Sequence, residues 1–112
     1  MIAVIFEARP SAAGRAEYLE RAAALHAELQ HIDGFLGIER FESLTSPGKL
    51  LSLSFWRDED AVAQWRRHPG HRSAQDAGRG GVFADYRLRV ARVLRDYGLH
   101  DRAEAPTRPP AA

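Results

Sequence analysis

The chain has 112 residues, one domain's worth, and its 45% hydrophobic and 28% charged content is that of an ordinary globular protein with a single core. Sixteen Lys and Arg against fifteen Asp and Glu leave a formal charge of +1, with the basic residues spread along the chain, so composition gives no electrostatic footprint for nucleic acid or an anionic membrane. The absence of cysteine excludes disulfides, thiolate metal sites and a cysteine nucleophile, and fits a reducing, cytoplasmic setting.

Residues 2–9 (IAVIFEAR) form a near-continuous apolar run rich in β-branched and aromatic residues, which suits a strand buried on both faces and is far too short for a membrane span. Pro10 ends it. Ser11 is placed to cap a helix whose stripe of Tyr18, Ala22, Leu25, Leu29 and Ile32 recurs at steps of three and four. Asp33-Gly34 supplies its stop. A strand over 35–45 then sets Phe35, Gly37, Glu39, Phe41 and Ser43 on one face and Leu36, Ile38, Arg40 and Glu42 on the other. The Ser46-Pro47-Gly48 turn joins it to a strand over 49–57 as an antiparallel hairpin.

Asp58 is the expected cap of a second helix, with Glu59 and Asp60 in the first turn and Ala61, Val62 and Trp65 inward. That helix breaks near His68-Pro69-Gly70, and a further helical turn over about 71–77 precedes Gly78, Gly80 and Gly81. Residues 82–97 alternate as a long last strand, Tyr86, Leu88, Val90 and Leu94 opposite Asp85, Arg87, Arg89 and Val93.

The order β-α-β-β-α-β predicts an α+β, ferredoxin-like domain over residues 1–100, a four-stranded antiparallel sheet with both helices on one face. Strands 1 and 3 carry apolar residues on both faces, so the uncovered sheet face calls for a second copy and hence a homodimer. Residues 101–112, with Pro106, Pro109 and Pro110, read as a disordered tail.

Four segments carry a family resemblance over about residues 1–98: the opening IAVIFEA strand, IDGFLGIERF, the block SPGKLLSLSFWRDEDAVAQWRRHPGHRSAQ, and FADYRLRVARV. In these the chain resembles the antibiotic biosynthesis monooxygenase domain family, whose members form dimeric α+β barrels. The resemblance implies that fold, and with it a choice among cofactor-independent quinol and polyketide oxygenases, haem-degrading enzymes and members without assigned activity. Haem-degrading members pair a helix-2 tryptophan with a later histidine and a strand-1 asparagine. Trp65 matches the first, whereas the other two positions fall at Ala74 and Gln75 and at Glu7 or a near neighbour.

Of the five histidines, none has the spacing and carboxylate context of a metal site, and His26 and His31 read as surface or helix-end residues. His71, just after the Pro69-Gly70 break, is the candidate general base, its alternative being a helix-end residue that caps backbone groups; His68 is the weaker choice. Trp65 reads as core, and the resemblance adds an indole N–H offered to a substrate oxygen; Trp56 shares the ambiguity. Arg87 and Arg89 share a face, which suits either an anionic ligand or ion pairs to Glu39 or Glu7.

Taken with the resemblance, these residues predict a cofactor-independent monooxygenase that brings dioxygen to a hydroxylated aromatic or quinol-like small molecule. His71 and Trp65 are its expected catalytic residues, and Trp56, Tyr86, Arg87 and His68 its expected substrate contacts. Two alternatives remain open: a haem-binding, haem-degrading monooxygenase with His71 or His68 on iron, and a non-catalytic binding dimer with a shallow pocket and no inward polar group.

Overall fold

In the computed structural model, which describes residues 1–69, 71, 76 and 81–107, β1 (Ile2–Pro10) is followed by α1 (Arg15–Leu29), β2 (Phe35–Glu42), β3 (Leu50–Trp56), α2 (Glu59–Arg67) and β4 (Phe83–Arg92). The expected β-α-β-β-α-β order is present. All pairings are antiparallel, and the strands lie in the order β2-β3-β1-β4. The further helical turn expected over 71–77 and the glycine-rich rim fall mostly outside the described residues. No helix among the described residues is long and apolar enough to cross a membrane.

Register decides which side chains share a face. Val4 lies opposite Ser54 on one side and Val90 on the other, and Phe6 lies between Ser52 and Leu88. Because successive strand residues alternate, Ile2, Val4, Phe6 and Ala8 share one face with Ser52, Ser54 and Trp56. Both helices pack on that face. Leu29, Ala61 and Val62 close over Ile2 and Trp56, and Tyr18 closes over Leu50 and Val82 at the other end. Trp56 is the largest fully buried side chain, 2% exposed, and truncating such a residue to alanine typically costs about 3–5 kcal/mol.

Four local expectations change. Ser11 does not cap α1: Gly14 stands at the N-cap without a side-chain bond, while the Ser11 N–H donates to the Val82 carbonyl and its own carbonyl accepts from Gly14. A Cβ at Gly14 would meet the Val82 carbonyl oxygen at 2.2 Å, so the close approach of the loop before β4 sets the start of the helix. Ile32 lies beyond the end of α1 but still packs on the core. In β2 an irregularity between Phe35 and Gly37 puts Phe35 against Trp56, on the side of Ile38, and leaves Leu36 exposed, which reverses the expected faces at that end.

The fourth change is at the last strand, which stops at Arg92 because its partner β1 begins at Ile2; the Val93 N–H to Met1 carbonyl bond is the last rung. Beyond it, the Asp96 N–H donates to Glu104 and the Arg102 guanidinium lies over the Tyr97 ring at 5.2 Å.

The expected cap of α2 holds, whereas α1 ends at Leu29 with Gln30 as its C-cap, ahead of Asp33-Gly34. The Asp58 carboxylate accepts from the Ala61 N–H at 2.9 Å as the cap of α2, and this bond together with Arg57 holds its pKa below the usual carboxylate value. Gly34, after α1, adopts φ +87°, and a Cβ there would sit 2.8 Å from that of Ala61. Gly34→Ala therefore combines left-handed strain with a clash. It is expected to destabilise the fold by about 1 kcal/mol or more, read as a lower urea midpoint with an unchanged slope.

Candidate active site

Between α1, α2 and the inner sheet face lies a cavity of about 240 Å³. Its walls follow from the alternation just described. The sheet contributes Val4, Phe6, Ile38 and the two serines of β3, α1 contributes Tyr18 and Leu25, and α2 contributes Val62 and Trp65. Along β4, Tyr86, Leu88 and Val90 line it while remaining 50%, 53% and 45% exposed, so the cavity is open to solvent on that side. Phe83 stands edge-on to Phe6 and Tyr18, with centroids 5.4 and 5.2 Å apart, and Tyr86 tilts against Phe6 at 5.7 Å. The result is an aromatic wall suited to a flat apolar ligand.

Trp65 and His71 meet at one part of this lining. Their rings are edge to face at 5.1 Å, and His68 stacks on Trp65 at 5.3 Å and 28°. His71 is half-buried. Desolvation first, then the charge of Arg66 and the electrostatic influence of His68, push its pKa below the ordinary 6.5, so the imidazole is neutral at pH 7 and able to accept a proton.

The expected site residues divide. Trp65, His71, Trp56 and Tyr86 all line the cavity. Trp56, however, offers only ring surface, because its indole N–H donates to the Ser54 hydroxyl at 2.9 Å in the interior. His68 lies outside the lining; it caps the end of α2, donates its backbone N–H to the Trp65 carbonyl and points Nδ1 toward Glu28 at 3.7 Å, behind the tryptophan. Arg87 is not a cavity residue: it pairs in register with Glu7, whose side chain projects from the other face of the sheet. There the ion-pairing alternative holds for its neighbour, with Arg89 3.3 Å from Glu7. The haem-ligand position at Ala74 and Gln75 lies outside the described residues. His26 and His31 are exposed, as expected.

Several site residues were missed from sequence. Tyr18 read as part of the helix stripe, yet it is 8% exposed, with its hydroxyl buried and unpartnered among the described residues. Arg40 read as one member of a mixed strand face, yet its Nε is also buried with no hydrogen-bond partner among those residues. Leaving such a donor unmatched costs about 1–3 kcal/mol. Ser52 and Ser54 alternate with leucines in LSLSFW, and that spacing was the available signal for a polar stripe on an inward face. Among the described residues, no group of three or more His, Asp or Glu side chains is placed to hold a metal ion.

A split βαβ sheet with its helices on one face and a ligand-sized aromatic cavity between them defines a small α+β domain of the ferredoxin-like class. The sequence model for antibiotic biosynthesis monooxygenase matches residues 1–77, and the chain belongs to that family. It is 50% identical over 93 residues to a jasmonate monooxygenase of Pyricularia oryzae, an alignment that takes in 83% of this chain but only 43% of that protein; the chain thus spans less than half the length of that relative. The fold matches Rv0793 from Mycobacterium tuberculosis with a TM-score of 0.77 at 18% identity, over 87% of this chain and 98% of that one. SnoaB, a cofactor-independent oxygenase from Streptomyces nogalater, matches with a TM-score of 0.72 at 16% identity, over 85% and 94% of the two chains.

The depressed pKa of His71 has a sign that can be measured. The folded protein binds this proton less readily than the unfolded chain, so His71 lowers stability as pH falls from 6.5 through the folded midpoint and has no such effect above 6.5. Proton NMR of the imidazole is expected to give a midpoint below 6.5, and Arg66→Gln is expected to raise it. A midpoint at or above 6.5 in the wild type contradicts the assigned burial.

Proposed function

We propose that this chain is a cofactor-independent monooxygenase whose cavity holds an electron-rich hydroxylated aromatic or quinol-like molecule and brings it to dioxygen. The observation that carries this reading is the neutral His71 imidazole set edge-on to Trp65 within a lining that is otherwise mostly apolar and aromatic. Family membership supports monooxygenation, and the likeness to SnoaB, a cofactor-independent oxygenase, supports the absence of a cofactor. The jasmonate monooxygenase supports a small-molecule substrate.

In this scheme His71 takes the substrate's hydroxyl proton, which makes the molecule electron-rich enough to reduce dioxygen directly. Oxygen adds at the ring carbon activated by the oxyanion, and the resulting hydroperoxide loses water to leave a carbonyl. One oxygen atom stays in the product, the other leaves as water, and the substrate supplies all four electrons. The protein's part is to hold the proton at His71 and orient the ring on the aromatic wall. The Trp65 indole N–H, which has no hydrogen-bond partner among the described residues, is available to the oxyanion.

The same reading includes a homodimer. The sheet face away from the helices carries Ile5, Leu51, Leu53 and Phe55, with Phe41 43% exposed at its edge, and Glu7, Glu39 and Arg89 around them. A second copy laid sheet to sheet buries this apolar centre and leaves the cavity, on the opposite face, accessible in each subunit.

Two measurements test these statements. With a panel of phenols and quinols, wild-type protein is expected to consume oxygen, and His71→Ala is expected to lose at least about 100-fold in rate, the usual scale for a general base. His71→Ala should still bind substrate. Full activity in that variant would remove His71 from the role, and a saturable Soret shift with haemin that depends on His71 would replace the proposal with haem chemistry. By light scattering, the wild type is expected at twice the chain mass and Leu53→Glu at the chain mass with its helix content kept.

A further inference from the structure

The cavity is electrostatically one-sided. Three arginines, Arg21, Arg40 and Arg66, reach its lining, and no Asp or Glu does. Arg21 is accounted for by Glu17, 3.0 Å away one helical turn earlier, and Arg66 is an exposed residue at the end of α2. Arg40 differs from both. It is half-buried on β2, opposite Ser52 in register, with Nε fully buried and no ion pair or hydrogen bond among the described residues. The stretches outside those residues contain no Asp or Glu, so no side-chain carboxylate there is left to neutralise it. Glu42, its neighbour on the same strand face, is directed to Arg15 at 3.8 Å.

A second donor shares the cavity with it. Tyr18, more than nine-tenths buried, is wedged among Leu50, Val82 and Phe83, and its hydroxyl has no hydrogen-bond partner among the described residues. Phe6 packs on this group, and across the sheet from Phe6 the same row runs through Ser52 to Arg40. Two unmatched donors, one of them cationic, in an apolar pocket without an internal counter-ion are expected only where a ligand supplies the acceptor. A planar guanidinium and a phenol hydroxyl together suit the oxygens of a carboxylate.

We propose that the ligand of this cavity carries a carboxylate on an aromatic or apolar body, and that Arg40, with Tyr18 as a second donor, is the residue that binds it. This deepens the proposed monooxygenase reading by naming the substrate class: an aromatic acid, anchored through its carboxylate at Arg40 while its ring lies on the Phe6 and Phe83 wall. Arg40 is a binding residue in this account and takes no part in the proton transfer at His71.

The test uses binding, so that it stands apart from turnover. Titrating the intact protein by calorimetry with 2-naphthoate and with 2-naphthol, which share a ring system and differ in the carboxylate, is expected to show naphthoate binding at least about tenfold more tightly, the scale of a hydrogen bond to a charged group. Arg40→Gln is expected to abolish that preference while leaving naphthol affinity within about twofold. Arg21→Gln, whose arginine already has a partner, is expected to keep the preference.

Should Arg40→Gln fail to fold, Arg40→Lys, which keeps the charge but loses the fork of donors, and Tyr18→Phe decide the matter, each narrowing the preference. Equal affinity for the two probes, no binding of either, or a preference that survives these substitutions overturns the proposal. Oxygen uptake is read separately: an Arg40-dependent preference without oxygen uptake on any phenol, quinol or hydroxylated aromatic acid leaves the carboxylate site standing and removes the monooxygenase reading. Oxygen uptake without the preference does the reverse.

Discussion

Because β1 pairs with β3 through Ile5 and Leu53 and with β4 through Ile5 and Arg89, each strand's alternation is locked to that of its neighbours. Everything that follows about the cavity depends on that lock. A slip of one residue would bring Leu51, Leu53 and Phe55 under the helices and send Ser52, Ser54 and Trp56 to the other side. The register is held by large side chains on both ends of the inner face, Trp56 and Ile2 under α1 and α2 at one end, Leu50 and Tyr18 at the other. Between these two anchored ends the inner face is left with smaller or polar groups, and the cavity occupies that middle ground.

The electrostatic character of the cavity has the same origin. Besides Tyr86, the polar strand residues that line the cavity are two serines and one arginine, and one serine is already used by Trp56. Glu7 of β1 and Glu39 of β2 project from the opposite face by the same alternation, where Glu7 holds Lys49 and Arg89, while Glu42 at the end of β2 shares the inner face and is taken by Arg15. Those cations keep the Glu7 carboxyl below its usual pKa, the hydrogen bond from Lys49 acting most strongly. The sheet thus turns Glu7, Glu39 and the partners of Glu7 outward and leaves Arg40 at the cavity without a side-chain partner among the described residues. His71 adds a base held neutral by burial, so the pocket combines a proton acceptor with cationic attraction for an anion.

Family membership accounts for the architecture, while the choice of ligand belongs to the particular side chains. Rv0793 and SnoaB share the fold at 18% and 16% identity, so they speak for backbone and not for lining. The relative at 50% identity is more than twice as long as the stretch it shares with this chain. The distinguishing features argued above, Arg40 and Tyr18, come from burial and missing partners in this molecule alone.

Much of the fold was legible in the order of the residues. The apolar run of β1, the stripe of α1, the Ser46-Pro47-Gly48 turn and the Asp58 cap are local patterns, and each appears where its spacing implied. His71 and Trp65 were legible as candidates because a histidine after a Pro-Gly break and a tryptophan on an inward helix position are unusual locally. What alternation could not say is what covers each face, so Arg87 looked available to a ligand and Arg40 looked like one more residue on a mixed strand. Only the register of β4 against β1 turns Arg87 away, and only the stacking of α1 over β1 and β3 buries the Tyr18 hydroxyl. Burial and the loss of hydrogen-bond partners are properties of contacts between segments far apart in the chain, so the sequence by itself determined the elements and their faces, and tertiary packing decided which of those faces became a binding site.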